Sequence, residues 1–578
     1  MRKMNDFVSY LNTLHNASGC NEHAIAENNV SDTDVYSRRL NFQREITEVL
    51  IQKLTLERGK IVILTGHAGD GKTSILQTII EKCTGNRMNA NEKEIEITFQ
   101  DGKKLLCVKD MSEHEKEKQI ALMKRAFDEQ YTGNNCILIS NTGPLFNVLL
   151  ELGVEEEKII RILDNKKMQE SSFEVEGNRN VSAIVANLAL FDNSDIVEKY
   201  IQNIVNPVLW TDCENCIKKE YCPIYFNQKI VRENLKQVVA FSKAFYRCNF
   251  EHDERFTVRQ MIAHIAYAFT GNCSCKGMRR LQGEKKNQKR KLYNSFSNLF
   301  FGNHYEREIS CTDRKALQIK PIEKIKKQAL DSRKLPQEYE LFVQNNFTAF
   351  SSEVEELVKM CWKSWNLVDQ EEQKQELLKV IKRAYFMYHI KGEEENKILF
   401  RSVYSPMFLC YMNIQKGEHA RGEKIELKKM VSTALQKLFV GMVDKEASRI
   451  DMTVKRKGEI RQNVQISTGY IEKSDIQIEI RSEYNGVNGE EEKYIVLECR
   501  GQTEKLTLPM LEYFDDISNG MLRNKVDPRL SQGVENIKAK IYQARKKKEG
   551  DGLSLIYSDG AKIRNIELYI EDGKIYKE

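Results

Sequence analysis

Residues 60 to 80 constrain this chain more than any other stretch. Lys60-Ile61-Val62-Ile63-Leu64-Thr65 reads as a buried parallel strand, and Ser74-Ile75-Leu76-Gln77-Thr78-Ile79-Ile80 as a helix with one apolar face. Between them, Gly66-His67-Ala68-Gly69-Asp70-Gly71-Lys72-Thr73 fills every fixed position of the pattern G-x-x-x-x-G-K-[ST]. Glycines lack the Cβ that would stop backbone N–H groups from curling round an anion, and the start of the following helix adds partial positive charge. Lys72 is expected to reach the β- and γ-phosphates of a nucleotide, and the Thr73 hydroxyl to ligate Mg²⁺. The segment Gly66 to Ser74 therefore implies a nucleoside triphosphate.

A nucleotide that is hydrolysed needs an acidic residue at the end of a neighbouring strand to hold Mg²⁺, and a group that orients water. Lys104-Leu105-Leu106-Cys107-Val108-Lys109-Asp110 is the strand that fits, with Asp110 as the Mg²⁺ carboxylate. Asp164, after Ile159-Ile160-Arg161-Ile162-Leu163, competes, but its surroundings read as helical. The usual Asp-Glu pair is replaced by Asp110-Met111-Ser112-Glu113, so Glu113 would have to swing in as the base. The next strand, Asn135 to Ile139, leads to Asn141, where AAA+ enzymes place a water- and γ-phosphate-sensing residue. A fifth strand is expected at Val181 to Leu188. No Asn-Lys-x-Asp guanine-reading motif occurs, which favours ATP.

At 578 residues the chain exceeds a single core, and its 30% charged and 41% hydrophobic content suits a soluble globular protein. Lys+Arg 90 against Asp+Glu 84 leaves +6, too mild for a global polyanion binder, so nucleic-acid contact would need local patches. Two blocks offer one: Lys276-Gly277-Met278-Arg279-Arg280 through Lys285-Lys286-Asn287-Gln288-Lys289-Arg290-Lys291, and Arg545-Lys546-Lys547-Lys548. Arg279 or Arg280 could instead sense the γ-phosphate, and Arg383 or Arg401 could reach a neighbouring protomer of a ring. No run approaches 18 apolar residues, so no membrane span is expected. The opening Met1-Arg2-Lys3-Met4-Asn5-Asp6 lacks a signal's apolar stretch. The 14 cysteines are scattered as reduced thiols would be, and a cytoplasmic address is expected.

Cys213-x-x-Cys216-x5-Cys222-Pro223 is the second concentrated signal. Thiolates on a tight knuckle can share a tetrahedral Zn²⁺, with a third closing back on it. Cys248, His252, Cys273 and Cys275 are candidates for the fourth ligand, and Cys273 is taken from the densest pair. A nuclease pattern is approached only by Glu498-Cys499-Arg500, which lacks the lysine and an upstream acid.

The expected fold class is α/β: a P-loop NTPase of AAA+ or STAND-like kind, its parallel sheet followed by helical and α+β parts. The expected division is a helical segment over 1–58, a core with the cysteine cluster over 59–240, a helical lid over 241–310, a helical domain over 311–450 and an α+β domain over 451–578. The last is read from alternating strands at 463–467, 476–480 and 494–498, an Asn485-Gly486 turn, and a terminal hairpin at 553–557 and 566–570.

The Gly-Asp-Gly phosphate loop at 66–73 is similar to that of the DptF-like proteins of DNA phosphorothioation-dependent restriction and related bacterial anti-phage ATPases. Cys213/Cys216/Cys222-Pro223 with Phe226-Asn227, Thr257 to His264 continuing to Gly271, Asn298-Leu299-Phe300-Phe301-Gly302, and Leu506 to Tyr513 with Asn519-Gly520 are further likenesses, spread over roughly residues 30 to 525. The resemblance implies an ATPase subunit of a multi-protein defence system acting on foreign DNA, directly or through partner subunits, with homo-oligomers as an option. A nucleotide-gated scaffold with little hydrolysis, or a DNA-remodelling or loader ATPase outside defence, are the other readings.

Overall fold

The computed structural model describes residues 4–15, 33–40, 42–85, 92–165, 168–175, 179–280, 284–306, 309–363, 371–418, 421–454, 464–484, 491–521, 526–546, 552–558, 562–571 and 573–577. The Asn485-Gly486 turn, residue 463, and Lys547-Lys548 lie outside them, as do the side chains of Lys285 and Lys286. Two compact units are present, one spanning Met1–Val403 and one spanning Tyr404–Tyr484 with Glu491–Glu578.

The first unit carries a six-stranded sheet of β1 (Ile61–Thr65), β2 (Glu94–Thr98), β3 (Lys104–Val108), β4 (Asn135–Ile139), β5 (Glu170–Val175) and β6 (Arg179–Asn187), in the order β2-β3-β4-β1-β6-β5. β1 is buried along its length and runs parallel to both neighbours, with Val62 opposite Ile137 of β4 and Ile184 of β6. β3 is parallel to β4. The expectation of a parallel sheet therefore holds for the four central strands. The edges differ: β2 pairs antiparallel with β3, and β5 antiparallel with β6. Both edge strands leave charged residues exposed, Glu96 in β2 and Glu174 in β5, so Glu-Ile-Glu-Ile-Thr and Glu-Ser-Ser-Phe-Glu-Val lack the apolar run that marks a central strand.

Because side chains alternate along a strand, β1 feeds two cores. Ile61 and Ile63 pack with the helices Lys116–Tyr131, Thr142–Glu151 and Glu156–Leu163 through Leu122, Phe127, Leu145 and Ile159. Val62 and Leu64 pack on the other face with the helices Glu45–Leu56 and Lys72–Thr84, through Leu50, Leu54, Leu76 and Ile79. The second of these begins directly after the glycine loop, so the loop sits where a buried strand gives way to a buried helix.

Helices continue the unit after the sheet. Leu235–Glu251 and Val258–Thr270 are both apolar on most of their surface. Thr257 starts the latter with a reciprocal capping box to Gln260, and Gly271 ends it in the left-handed region. This helix is the run expected to form a lid.

The second unit is α+β. Helices Pro406–Lys416 and Arg421–Val440 precede two antiparallel sheets. One has five strands, built on Val464–Glu472 paired with Arg449–Thr453 and Leu553–Ser558; the other joins Ile476–Tyr484, Glu491–Cys499 and Gln502–Leu506. The alternating strands and the terminal hairpin, Leu553–Ser558 with Ile563–Glu571, fall where the sequence pattern puts them. Among the described residues no helix is long and apolar enough to cross a membrane.

Candidate functional site

Three glycines let the chain curl between β1 and the following helix: Gly66, Gly69 and Gly71 have φ of 136, 88 and 82°. At Gly69 a Cβ would stand 3.0 Å from Arg259 Cβ and 3.3 Å from Thr257 Oγ1, so the loop passes tightly under the start of the Val258–Thr270 helix. A backbone bond from Arg259 N to Gly69 O (3.1 Å) fixes that approach.

Lys72 is buried, and its ammonium donates to three oxygens: Gly66 O and His67 O at 3.0 Å and Asn141 Oδ1 at 2.8 Å. Two of these are the loop's own carbonyls. Burial lowers the Lys72 pKa; Asp110 and Asp70 oppose the shift, while Arg255 and Arg259 add to it. The lysine is thus short of negative charge.

Asn141 reaches Lys72 from the turn after β4, next to β1, which is why residues so far apart in sequence meet. Its own N–H donates to Ser112 Oγ (2.7 Å), Ser112 N donates to Asp110 Oδ1 (2.9 Å), and the hydroxyls of Ser112 and Ser140 lie 3.3 Å apart. Asp110 thereby caps the short turn Met111–Glu113 and is joined to Lys72 through Ser112 and Asn141. Glu113 is placed differently. Its side chain is 59% exposed and pairs with Lys93 at 3.6 Å, outside this network.

Asp70, within the loop, is fully buried and balanced by cations from far along the chain. Its Oδ2 accepts from His67 N (2.8 Å) and from Arg255 Nη1 (3.1 Å), and Arg255 Nη2 also donates to Leu188 O (2.7 Å). Arg44 donates to Asp70 O (2.9 Å) and to Asn193 Oδ1 (2.8 Å); burial, with help from Arg255, lowers its pKa to about 10 against the pull of Asp70. Arg44, Lys72, Arg255 and Arg259 therefore outnumber Asp70 and Asp110. Beside the loop a cavity of about 110 Å³ opens, lined by Gly69, Gly71 and Ser74 and by Tyr10, Phe42 and Ile262.

The loop, Asp110 and Asn141 thus come together, whereas Asp164 lies at the end of the helix Glu156–Leu163. Ser112, Arg44 and Arg255 were not legible as site residues. Ser112 carries no motif of its own in Asp110-Met111-Ser112-Glu113, and the arginines join through contacts 26 and 185 residues apart.

The other sequence candidates sort by burial. Arg383 is no finger for a neighbouring protomer: it is buried, with Nε 2.7 Å from Asp331 Oδ2 and Nη1 2.8 Å from Glu376 Oε1. In the basic block Arg290 lies over the Tyr305 ring and Lys291 is buried 3.8 Å from Glu353, so these two charges serve packing within the unit.

The cysteines of the expected cluster separate by position. Cys213, Cys216, Cys222 and Cys275 line one small cavity. Cys273 does not; its Sγ faces Gly271 O (3.6 Å), with Arg290 and Asp313 as its charged neighbours. Cys275 is the first residue of the short helix Cys275–Arg279, capped by Ser274. Comparison of the chain with protein-family models, curated proteins and solved structures gives no significant match.

Proposed function

We propose that the first unit is a P-loop NTPase of AAA+ or STAND-like kind that binds ATP with Mg²⁺ on Gly66 to Ser74 and hydrolyses it. One observation carries this reading: a buried Lys72 held against the carbonyls of a positive-φ glycine loop and against Asn141, just past the end of the adjoining strand. A triphosphate is the ligand that such a cation lacks, and the excess of arginines supports an anion at the same place. The strand order adds support, since β4 separates β1 from the strand that ends in Asp110. The aromatic wall of the adjoining cavity suits a nucleoside base.

Thr73 and Asp110 would hold Mg²⁺. A hydroxyl at the first turn of the helix and a carboxylate close enough to influence Lys72 are the hard oxygen donors that this ion prefers. Bound there, Mg²⁺ would neutralise phosphate charge. Asn141 would orient water or sense the γ-phosphate, and Lys72 would exchange loop carbonyls for phosphate oxygens.

The likeness to DptF-like proteins extends the proposal to a role: an ATPase subunit of a cytoplasmic anti-phage restriction assembly, controlling assembly or DNA processing by its partners. A second reading, a nucleotide-gated scaffold with little turnover, is favoured by the exposed Glu113 and its pairing with Lys93. Phosphate release from ATP by the purified chain, with and without DNA, separates the two. Turnover that disappears in Lys72→Ala supports the ATPase; tight ATP binding without turnover supports the scaffold; neither binding nor turnover removes both.

A further inference from the structure

We propose that Cys213, Cys216, Cys222 and Cys275 hold one structural Zn²⁺, with Cys275 rather than Cys273 as the ligand that closes the set. The four thiols come from two stretches, 213–222 and the turn at Cys275, yet line one cavity of about 30 Å³, a space on the scale of a single small guest. Cys213 ends a short helical turn, and Cys216 N returns to Cys213 O (3.1 Å), the tight knuckle that lets a C-x-x-C pair face one point. Cys222 stands at the start of the helix Pro223–Glu233. Cys275 begins the turn Cys275–Arg279 on the other side.

Asn5 Nδ2 donates to Cys213 Sγ (3.3 Å) while also donating to Leu209 O (3.0 Å), and the Cys275 Sγ lies 3.9 Å from Asn5 O. Donors aimed at sulfur orient thiolates and tune a bound metal. All four are unpaired thiols. Among the described residues no three His, Cys, Asp or Glu side chains already form a metal cage. Closing the site therefore requires the thiols to turn inward, with loss of their protons as the ion binds. Four thiolates and no open position suit a structural zinc, which would tie the Asn5 segment, the 213–222 knuckle and the Cys275 turn together.

Metal content and cobalt spectroscopy of the intact chain test this. Purified from zinc-supplemented cells, the wild type is expected to carry about one zinc per chain. Its apo form titrated with Co²⁺ should show the ligand-field and charge-transfer bands of a tetrahedral tetrathiolate. Cys273→Ser should leave both readouts unchanged. Cys275→Ser should weaken cobalt binding at least tenfold and shift the spectrum toward three sulfurs, and Cys275→His should restore tetrahedral binding with a spectrum of mixed sulfur and nitrogen ligands. A folded wild type that takes up neither metal overturns the proposal. So does a tetrathiolate spectrum that survives in Cys275→Ser or disappears in Cys273→Ser.

Discussion

Lys72 and Asp70 show how far a local motif can be read. The pattern G-x-x-x-x-G-K-[ST] places both side chains in one loop, because every fixed position lies within eight residues of sequence. It says nothing of what balances Asp70, whose charge meets Arg255 at 2.9 Å from a distant segment. Removing that arginine would leave a buried carboxylate uncompensated, so Arg255→Ala is expected to cost about 3 kcal/mol or more. Denaturant unfolding should show this loss, and adding Asp70→Asn should recover a large part of it. His264 gives a prediction about pH. Its Nδ1 lies 2.7 Å from Tyr246 Oη and its Nε2 2.7 Å from Phe300 O, so Nε2 carries the proton and the ring is neutral. Burial lowers its pKa to about 4, although the Phe300 carbonyl pulls the other way. The folded value lies below the ordinary 6.5, so stability from this residue is full above pH 6.5 and falls as the pH drops toward 4. The melting temperature should decline over that window, through a loss on the order of 3 kcal/mol, and His264→Gln should flatten the decline.

Whether an element was legible followed from its burial. β1, β3, β4 and β6 show themselves as apolar runs, because central strands bury both faces. β2 and β5 do not, since they pair on one side only and carry charges such as Glu94, Glu96 and Glu174. In the second unit, strands with one wet face alternate, and the pattern of period two was readable. The glycine loop makes a sharper case, because its conformation depends on the helix above it. Gly69 has φ of 88° and lies against Arg259 and Thr257, so Gly69→Ala combines backbone strain with crowding from the capping turn. Strain alone should cost about 1–2 kcal/mol. A lower melting temperature together with weaker ATP binding is expected; Gly85→Ala, at a helix end with open space around it, should lower stability alone.

At the scale of the whole molecule, every residue of the loop network belongs to the first unit, whose span is Met1–Val403. A chain of residues 1–403 should therefore bind ATP as the full chain does, by isothermal titration. A loss of more than tenfold would mean that the second unit shapes the site. Long-range placement of this sort was beyond the sequence: periodicity reports which face of an element is buried, not which distant arginine covers it. Cys275 and Cys273 illustrate the limit: they are two residues apart, and Cys275 lines the cavity with Cys213, Cys216 and Cys222 while Cys273 does not. The central claim is that the glycine loop and Lys72 grip a triphosphate. Its most direct test is the equilibrium affinity of the full chain for ATP with Mg²⁺, set beside that of Lys72→Ala with an unchanged melting profile. The account expects wild-type binding in the micromolar range or tighter, weakened at least tenfold, about 1.4 kcal/mol, by the substitution. Equal affinity in the two proteins, or no binding by a folded wild type, would contradict it.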